Sequence, residues 1–340
     1  MRTVTSNLVL PNMAERLEAT RRWGNQQAHD HYQAQWPCLN SIELQNQPAT
    51  ETAPRTLMIS AWNIERCKHI AESADLIRRV GADIVLASEM DLGMARSGQH
   101  HTTRELASQL DYSYAFAVEF VELGLGDARE TADCDGLGNL HGLHGNAILS
   151  RWPLRNVVLL PLDAGGYWFV QAPKNDGQYR VGGRMAIAAQ IDTLAGPLTL
   201  VCTHYESESD ADGRALQTQT LLDGLDTIYG NTPAVIGGDL NTNAFMSTGT
   251  SPDDMLNRPN SIEPSFTHFE KHGFDWRNAN TGRVTTRLNP DSTSSVPLKT
   301  LDWLFVRGIS AYEPFVTPAL TPNGEYLSDH ELIGTQIRYA

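Results

Sequence analysis

The 340-residue sequence has few cysteines, no long apolar run and a deficit of positive charge. Its four cysteines stand apart without a CxxC pair, which argues against a zinc site and against a disulfide framework. The longest apolar runs, such as Val157 to Leu160, are too short to cross a bilayer. The amino terminus lacks the continuous apolar segment of a secretory signal. We therefore expect a cytoplasmic protein without membrane insertion.

Positive charge is the scarcest of these features, with 26 basic against 40 acidic residues and a net charge of −14. Proteins that grip long nucleic acid usually carry a basic footprint, because phosphate neutralisation supplies most of that affinity. The composition therefore disfavours long nucleic acid as a partner, although a local basic groove is compatible with an acidic average. No GxGxxG motif opens a helix after the first strand and no GxxxxGK[ST] motif occurs, so nucleotide-cofactor and P-loop functions lack their motifs.

The pattern of predicted elements divides the chain into an N-terminal extension and one larger domain. Residues 1–54 are predicted to be a helical extension, with Asn12 and Glu15 as a capping box and a polar connector from Gln47 to Pro54. Residues 55–340 contain many short strands, few helices and a mixed order of elements. That pattern favours an α/β sandwich with two sheets inside and helices outside. The oligomeric state is left open.

One stretch stands out among the strand ends. The apolar residues Ala234 to Ile236 are followed by two glycines, then Asp239, Leu240 and Asn241. Residues two apart in an extended segment point the same way, so Asp239 and Asn241 can act on one substrate atom. The glycines permit close approach of backbone or ligand. Taken alone, the same residues are also typical of an ordinary turn after a strand.

Five further strand ends or starts carry polar groups capable of chemistry. A turn, a helix cap or a hydrogen-bonded core histidine explains any one of them. Their repeated position beside apolar strands indicates a shared purpose. The residues are Asn63 with Glu65, Glu89 with Asp91, His204, Asp302, and Asp329 with His330.

The ordered set of motifs resembles the endonuclease/exonuclease/phosphatase superfamily, the DNase I-like metal-dependent phosphoesterases. In chain order over residues 56–340 the motifs are WNIE, SEMD, HGNAILSRWPL, THYES, GGDLNTN, LDWLFV and SDH. The resemblance implies a four-layered α/β sandwich, in which two packed mixed sheets are flanked by helices. It also implies a site at one end of the two sheets.

The resemblance further implies a metal site for Mg²⁺ or Mn²⁺. Glu89 would be the principal ligand, with Asn63, Glu65 and Asp329 beside it. The family often has aspartate where this chain has Glu65, which would lengthen that ligand's reach. Oxygen ligands of this type suit a hard divalent cation.

Catalytic roles follow from the same resemblance. Asp239 and Asn241 would position the attacking water and a phosphate oxygen. His204 would donate a proton or contact the phosphate. Asp302 would orient His330, which would contact the scissile phosphate. The crowding of Asp239 by other acids is expected to raise its pKa, as suits a general base.

These motifs define the substrate less closely than they define the metal site and the catalytic roles. Asn146 matches a recurring polar position near the phosphate, and Arg184 is expected either to bind phosphate or to form a salt bridge. Residues 122–143 form an acidic, glycine-rich segment that would repel a polyanion. Residues 163–183 contain Trp168 in an aromatic cluster suited to a cationic head group or a base, or to pinning the loop to the core.

Together these features predict a divalent-metal-dependent phosphoesterase. The expected substrate is a small-molecule phosphodiester or phosphomonoester, hydrolysed by in-line attack of an activated water. A DNA or RNA endonuclease or exonuclease is the first alternative. A catalytically inactive binding protein on the same fold is the second.

Overall fold

The computed structural model describes residues 3–48, 51–171, 178–290 and 297–339. Within these residues two β-sheets pack face to face and helices cover their outer faces, which confirms the predicted four-layered α/β sandwich. The strands are β1 (Thr3–Thr5), β2 (Ser41–Gln45), β3 (Thr56–Arg66), β4 (Ile84–Leu92), β5 (Ser113–Glu122), β6 (Leu143–Ser150), β7 (Arg155–Pro161), β8 (Arg180–Gly182), β9 (Met185–Thr193), β10 (Gly196–His204), β11 (Ala234–Asp239), β12 (Asp302–Arg307), β13 (Ser310–Thr317) and β14 (Leu332–Arg338). The α-helices are α1 (Met13–Thr20), α2 (Gln26–Gln35), α3 (Ile70–Val80), α4 (Thr102–Leu110), α5 (Ala128–Asp133), α6 (Tyr167–Val170), α7 (Ala211–Tyr229), α8 (Ala244–Ser247), α9 (Pro252–Asn257) and α10 (Ser265–Lys271).

The two sheets differ in size. The larger sheet has the order β1-β2-β5-β6-β4-β3-β14-β13, with β8 also paired to β5, and the smaller has the order β12-β11-β10-β9-β7. Both are mixed, because β3 pairs parallel to β4 and β10 pairs parallel to β11 while most other neighbours are antiparallel. No helix in the described ranges is both long and apolar enough to cross a membrane.

Three apolar clusters hold the layers together. The central cluster lies between the sheets and joins residues such as Ala61 and Leu86 of the larger sheet to Leu200, Cys202 and Leu304 of the smaller one. A second cluster packs α3 and α4 on the larger sheet, and a third packs α7 and α10 on the smaller. Burial of this much apolar surface is the main force that favours the sandwich over the unfolded chain.

The N-terminal residues are part of this architecture. The predicted capping box is present, since the Asn12 side chain accepts from the backbone of Glu15 and the Glu15 side chain accepts from the backbone of Asn12. Besides α1 and α2, the extension contains two strands that the sequence did not indicate. Of these, β2 pairs antiparallel with β5, with Ile42 opposite Ala117, and β1 pairs with β2. The boundary after residue 54 stays a prediction, and residues 49–50 of the connector lie outside the described part.

The glycine pair ahead of Asp239 has two different roles. A Cβ on Gly237 would lie 2.7 Å from Leu304 and 2.8 Å from Leu86, so this glycine sets the spacing between the sheets. Gly238 has φ of 147°, and a Cβ there would lie 1.8 Å from the backbone oxygen of Thr203 on the neighbouring strand. Only glycine therefore fits where β11 delivers Asp239 to the end of the sheet.

We expect Gly238→Ala to lower the free energy of unfolding by on the order of 3 kcal/mol, because the added methyl group meets backbone rather than a flexible side chain. Chemical denaturation measures this change. Gly138→Ala is the matched control, since its Cβ would meet nothing within 4 Å. Equal stability of the two variants would contradict the account of Gly238.

Candidate active site

The predicted site residues converge where strands of both sheets end. His204 ends β10 and pairs in register with Asp239 at the end of β11, which in turn lies opposite Asp302 at the start of β12. In the other sheet the end of β3 carries Asn63, and the end of β4 carries Glu89. Parallel strands place their carboxyl ends at one edge, and this is the geometry that the strand-end pattern predicted.

The amide of Asn63 connects the two halves of the site. Its Nδ2 donates to Glu89 Oε1 at 3.1 Å and to Asp239 Oδ2 at 3.2 Å. Asn63 is almost completely buried, with 2% of its surface exposed. One side chain thus fixes the distance between an acid of the larger sheet and an acid of the smaller sheet.

The backbone that carries the larger sheet's acids is strained. Glu65, Arg66 and Cys67 have φ of 42°, 71° and 52°, and Glu89 has φ of 62°. Left-handed backbone costs a non-glycine residue about 1 kcal/mol or more, and such residues cluster where function requires a particular side-chain direction. The pairing of β3 with β4 shifts register at the same place, between Asn63 and Arg66.

Asp239 lies between two histidines. Its Oδ2 is 3.6 Å from Nε2 of His204 and 3.7 Å from Nε2 of His330. Each ring has a carboxylate behind it: Asp302 Oδ2 lies 2.8 Å from Nδ1 of His330, and Glu119 Oε2 lies 3.8 Å from Nδ1 of His204. The expected contact between Asp302 and His330 is thus present. Within the described residues, Nδ1 of His204 has no hydrogen-bond partner.

The two histidines differ in charge. Burial lowers the pKa of His330, but the Asp302 and Asp239 carboxylates raise it more, so its net pKa lies well above the ordinary value. Burial and the Arg184 guanidinium both lower the pKa of His204, so this ring is neutral. Burial and the Asp302 charge raise the pKa of Asp239 against the opposing effect of His330. This direction agrees with the expectation for a general base.

Glu65 is surrounded by hydrogen-bond donors. Its Oε1 accepts from Arg129 at 3.1 Å and lies 3.6 Å from Lys68 Nζ. Its Oε2 accepts from the Tyr326 hydroxyl at 2.5 Å and from the backbone N–H of Asp329 at 3.1 Å. Each Glu65 oxygen thus has two donor groups around it, whereas each Glu89 oxygen has one, Asn63 on Oε1 and Arg66 on Oε2. Glu65 therefore fits a metal ligand less well than Glu89 does.

Two sets of residues are candidates for binding a metal ion. Asp239, Asp302 and His330 bring three ligand-type atoms within 4.8 Å of one another, a candidate acidic and histidine site. The high pKa of His330 disfavours its role as a ligand, since a metal needs the neutral ring. Glu89 instead offers carboxylate oxygens of the kind that Mg²⁺ and Mn²⁺ prefer. The Asn63 oxygen accepts from the backbone N–H of Glu65 at 3.3 Å, so its predicted role as a ligand requires the amide to turn over.

The acids Asp239 and Asp329 bear on whether a cation fits at this site. Burial raises the pKa of both, and neighbouring carboxylates add to the rise while His330 opposes it. A divalent cation would supply the missing positive charge. The residues around Glu89 therefore fit such an ion, while their individual roles as ligands stay predictions.

The two predicted asparagines are both buried beside this centre. Asn241 has φ of 50°, its backbone N–H donates to Asp239 Oδ1 at 2.8 Å, and its Nδ2 donates to the backbone oxygen of Tyr205 at 3.0 Å. The Nδ2 of Asn146 donates to the backbone oxygen of Met185 at 3.3 Å. Among the described residues, the Asn146 Oδ1 atom has no hydrogen-bond partner and is free to accept one.

Arg184 and Trp168 are placed behind His204 rather than at an open surface. Arg184 is 3% exposed, and its guanidinium binds Glu206 Oε2 at 3.1 Å and Glu119 Oε2 at 3.5 Å. The indole N–H of Trp168 donates to the same Glu206 oxygen at 2.9 Å. The geometry favours a salt bridge for Arg184 and a pinning role for Trp168, so their direct contact with substrate stays a prediction. Residues 172–177 of this loop lie outside the described part.

The acidic segment 122–143 does not present its buried acids to the site as free charge. Glu130 Oε1 and Oε2 contact Arg66 at 3.2 Å and Arg96 at 3.0 Å, and Glu122 contacts Arg96 and Arg180. Arginines from outside the segment thus neutralise its buried acids. The expected repulsion of a polyanion by this segment therefore has no support from the buried acids.

Sequence reasoning missed three groups at the site. Glu119 is a lone acid inside the apolar run of β5, and a buried acid seldom occurs without a partner, so this signal was available. Arg66 and Arg129 carry no such signal. The position of the Arg66 side chain depends on the left-handed backbone at that residue. The position of Arg129 depends on where α5 packs.

Comparison with known proteins agrees with this architecture. A family model for the Endonuclease/Exonuclease/phosphatase family matches residues 60–330. The endonuclease/exonuclease/phosphatase of Beutenbergia cavernae DSM 12333 superposes with a TM-score of 0.58 at 18% identity, covering 84% of this chain and 72% of that chain. The corresponding protein of Bacteroides vulgatus gives 0.54 at 16% identity, with 84% and 99% covered.

A third solved structure with the same fold is D. rerio TDP2 complexed with a single-strand DNA product. Its TM-score is 0.50 at 14% identity, and 83% of this chain and 99% of that chain are covered. At such identities the likeness concerns the fold alone. No curated protein sequence shows a significant match to this chain.

The buried Glu119 gives a pH-dependent stability that can be measured. Burial raises its pKa to about 7 despite the nearby Arg184 guanidinium. Between about pH 4.5 and 7 the folded protein therefore holds a proton that the unfolded chain has lost, and the free energy of unfolding falls as pH rises. We expect Glu119→Gln, which cannot ionise, to gain stability relative to the wild type across this window, by up to about 3 kcal/mol.

Urea denaturation of both proteins at several pH values checks this difference. Glu72→Gln, at an exposed position of α3, is the matched control and should track the wild type. A constant difference between Glu119→Gln and the wild type from pH 4.5 to 8 would contradict the account.

Proposed function

Because the chain belongs to the endonuclease/exonuclease/phosphatase family, whose members are typically hydrolytic phosphoesterases, we propose that it is a divalent-metal-dependent phosphoesterase acting on a small phosphodiester or phosphomonoester. The observation that carries this proposal is the placement of Asp239 between a cationic and a neutral histidine, joined through Asn63 to Glu89. Phosphoester hydrolysis needs an oriented water, a base and positive charge on the phosphoryl oxygens.

Each group has a role in this proposal. Asp239 accepts a proton from the attacking water, which Asn241 helps to orient. His330, kept protonated by Asp302, donates its Nε2–H to a phosphoryl oxygen and stabilises the charge that develops there. The neutral His204 lines the other side of Asp239.

A divalent cation would be held by Glu89, with Asp329 in support, and Asn63 would join them through its oxygen once its amide had turned over. When bound, it would polarise the phosphoryl group as a Lewis acid. Glu65 contributes by ordering its neighbours, since its contacts tie Tyr326 and the backbone of Asp329 together.

Charge supports a small ester over a long nucleic acid. Arg184 is enclosed by Glu206 and Glu119, and Arg214 binds Glu263 at 2.6 Å with 1% of its surface exposed. Neither guanidinium is available to follow a phosphate backbone, and the net charge of −14 adds to this argument. Lys299 is only partly buried, and its Nζ donates to Asn243 Oδ1 at 2.7 Å.

Activity against three model substrates tests the substrate class. With Mg²⁺ or Mn²⁺ present, we expect turnover of bis(p-nitrophenyl) phosphate or p-nitrophenyl phosphate and little nicking of plasmid DNA. His330→Ala and Glu89→Ala should each lower the rate by roughly 10²–10⁴, because each removes a charge stabiliser. Rapid nicking of DNA without turnover of either ester would favour the nuclease. Unchanged activity in both variants would show that the site is wrongly assigned.

The affinity for Mn²⁺ distinguishes the roles of Glu89 and Glu65. Glu89→Gln should weaken Mn²⁺ binding at least about tenfold, whereas Glu65→Gln should weaken it less, since two donor groups already surround each Glu65 oxygen and only one contacts each Glu89 oxygen. Electron paramagnetic resonance of free Mn²⁺ over a titration gives both affinities. A larger loss in Glu65→Gln than in Glu89→Gln would reverse the assignment of the principal ligand.

A further inference from the structure

Arg66 brings a guanidinium into direct contact with the proposed metal-binding carboxylate. It is the last residue of β3 and the middle one of three consecutive left-handed residues, 65–67, with φ of 71°. Its Nη1 donates to Glu89 Oε2, while Asn63 occupies the other oxygen of that carboxylate at 3.1 Å. A backbone conformation that is unfavourable for arginine thus aims this side chain at Glu89.

The same guanidinium is also held from its other side. Its Nε donates to Glu130 Oε1 at 3.2 Å, and Glu130 comes from α5 in the acidic segment. The side chains of Arg66, Glu89 and Glu130 are 13%, 16% and 3% exposed, so water screens these charges only weakly. Arg66 is therefore shared between a carboxylate of the site and a carboxylate of the segment beside it.

We propose that Arg66 is a resident cation that competes with the divalent metal for Glu89, and that Glu130 lessens this competition by holding part of the Arg66 charge. This inference rests on the proposed function and deepens it. Arg66 is a positioning residue in this account, and Glu130 acts through it. The acidic segment then sets the metal affinity of the site without contributing a ligand.

The physical basis is the repulsion between like charges at a shared carboxylate. A unit positive charge in contact with Glu89 opposes a divalent cation there, and the negative charge of Glu130 offsets part of this repulsion. Removing Arg66 should therefore strengthen metal binding, and removing the Glu130 charge should weaken it. An arginine that merely supported the fold would give the opposite sign or no change.

The test is equilibrium Mn²⁺ binding to the full chain, followed by electron paramagnetic resonance without substrate. We expect Arg66→Gln to bind Mn²⁺ at least about tenfold more tightly than the wild type. Arg66→Lys keeps the charge and should stay within about threefold of the wild type. Lys68→Gln is the matched control, since Lys68 pairs with Glu65 at 3.6 Å and with Glu130 at 3.7 Å and not with Glu89.

Glu130→Gln removes the charge that holds Arg66, so it tests the same inference in a protein that keeps Arg66. This test stays informative even if Arg66→Gln fails to fold. It should weaken Mn²⁺ binding at least about threefold, and this effect should vanish when Arg66→Gln is also present. Circular dichroism and thermal unfolding confirm that each variant retains its fold. A weakening that persists in the double variant would overturn the role of Glu130.

The remaining outcomes separate this inference from the proposed function. Equal or weaker binding by Arg66→Gln, in a protein whose Mn²⁺ site is lost in Glu89→Gln, overturns the role of Arg66 and leaves the proposed function standing. A gain in Lys68→Gln equal to that in Arg66→Gln overturns the inference as well, because the effect would then be general electrostatics. Absence of Mn²⁺ binding in the wild type overturns both.

Discussion

The bridge made by the Asn63 amide is the contact on which the rest of the site depends. It joins Glu89 of the larger sheet to Asp239 of the smaller one with two hydrogen bonds from a single nitrogen. The apolar cluster between the sheets determines their spacing, and Gly237 has to be small for the sheets to approach this closely. Packing of the core and geometry of the site are thus one constraint, since a shift of either sheet separates the two acids.

Charge is distributed unevenly across that bridge. On the side of the smaller sheet, Asp239 faces two histidines whose pKa values are shifted in opposite directions. Burial lowers the pKa of both rings, but the close Asp302 carboxylate reverses this effect in His330, while the Arg184 guanidinium adds to it in His204. On the side of the larger sheet, positive charge comes from Arg66 instead. Each half of the site therefore balances its carboxylates by a different means.

The sequence predicted the parts of the site that lie on regular strands. Asp239 and His204 could be placed together because polar residues at the ends of parallel strands share an edge of the sheet. The paired glycines predicted that the backbone is closely approached there. The strands at residues 3–5 and 41–45 were missed, since short strands without clear alternation resemble connecting segments. Arg66 could not be predicted, because its direction depends on left-handed backbone that β3 adopts only where its pairing with β4 shifts register.

The glutamate at position 65 shows how one methylene group changes a residue's role. The family often has aspartate there, and the longer side chain was expected to extend a ligand's reach. In the structure that reach is used to accept from Tyr326 and from the backbone of Asp329, while Arg129 of α5 binds the other oxygen. These contacts fasten the loop immediately before His330 to the end of β3. A shorter aspartate would have to give up some of them, so the extra methylene group lets Glu65 order this loop, while its role as a ligand stays a prediction.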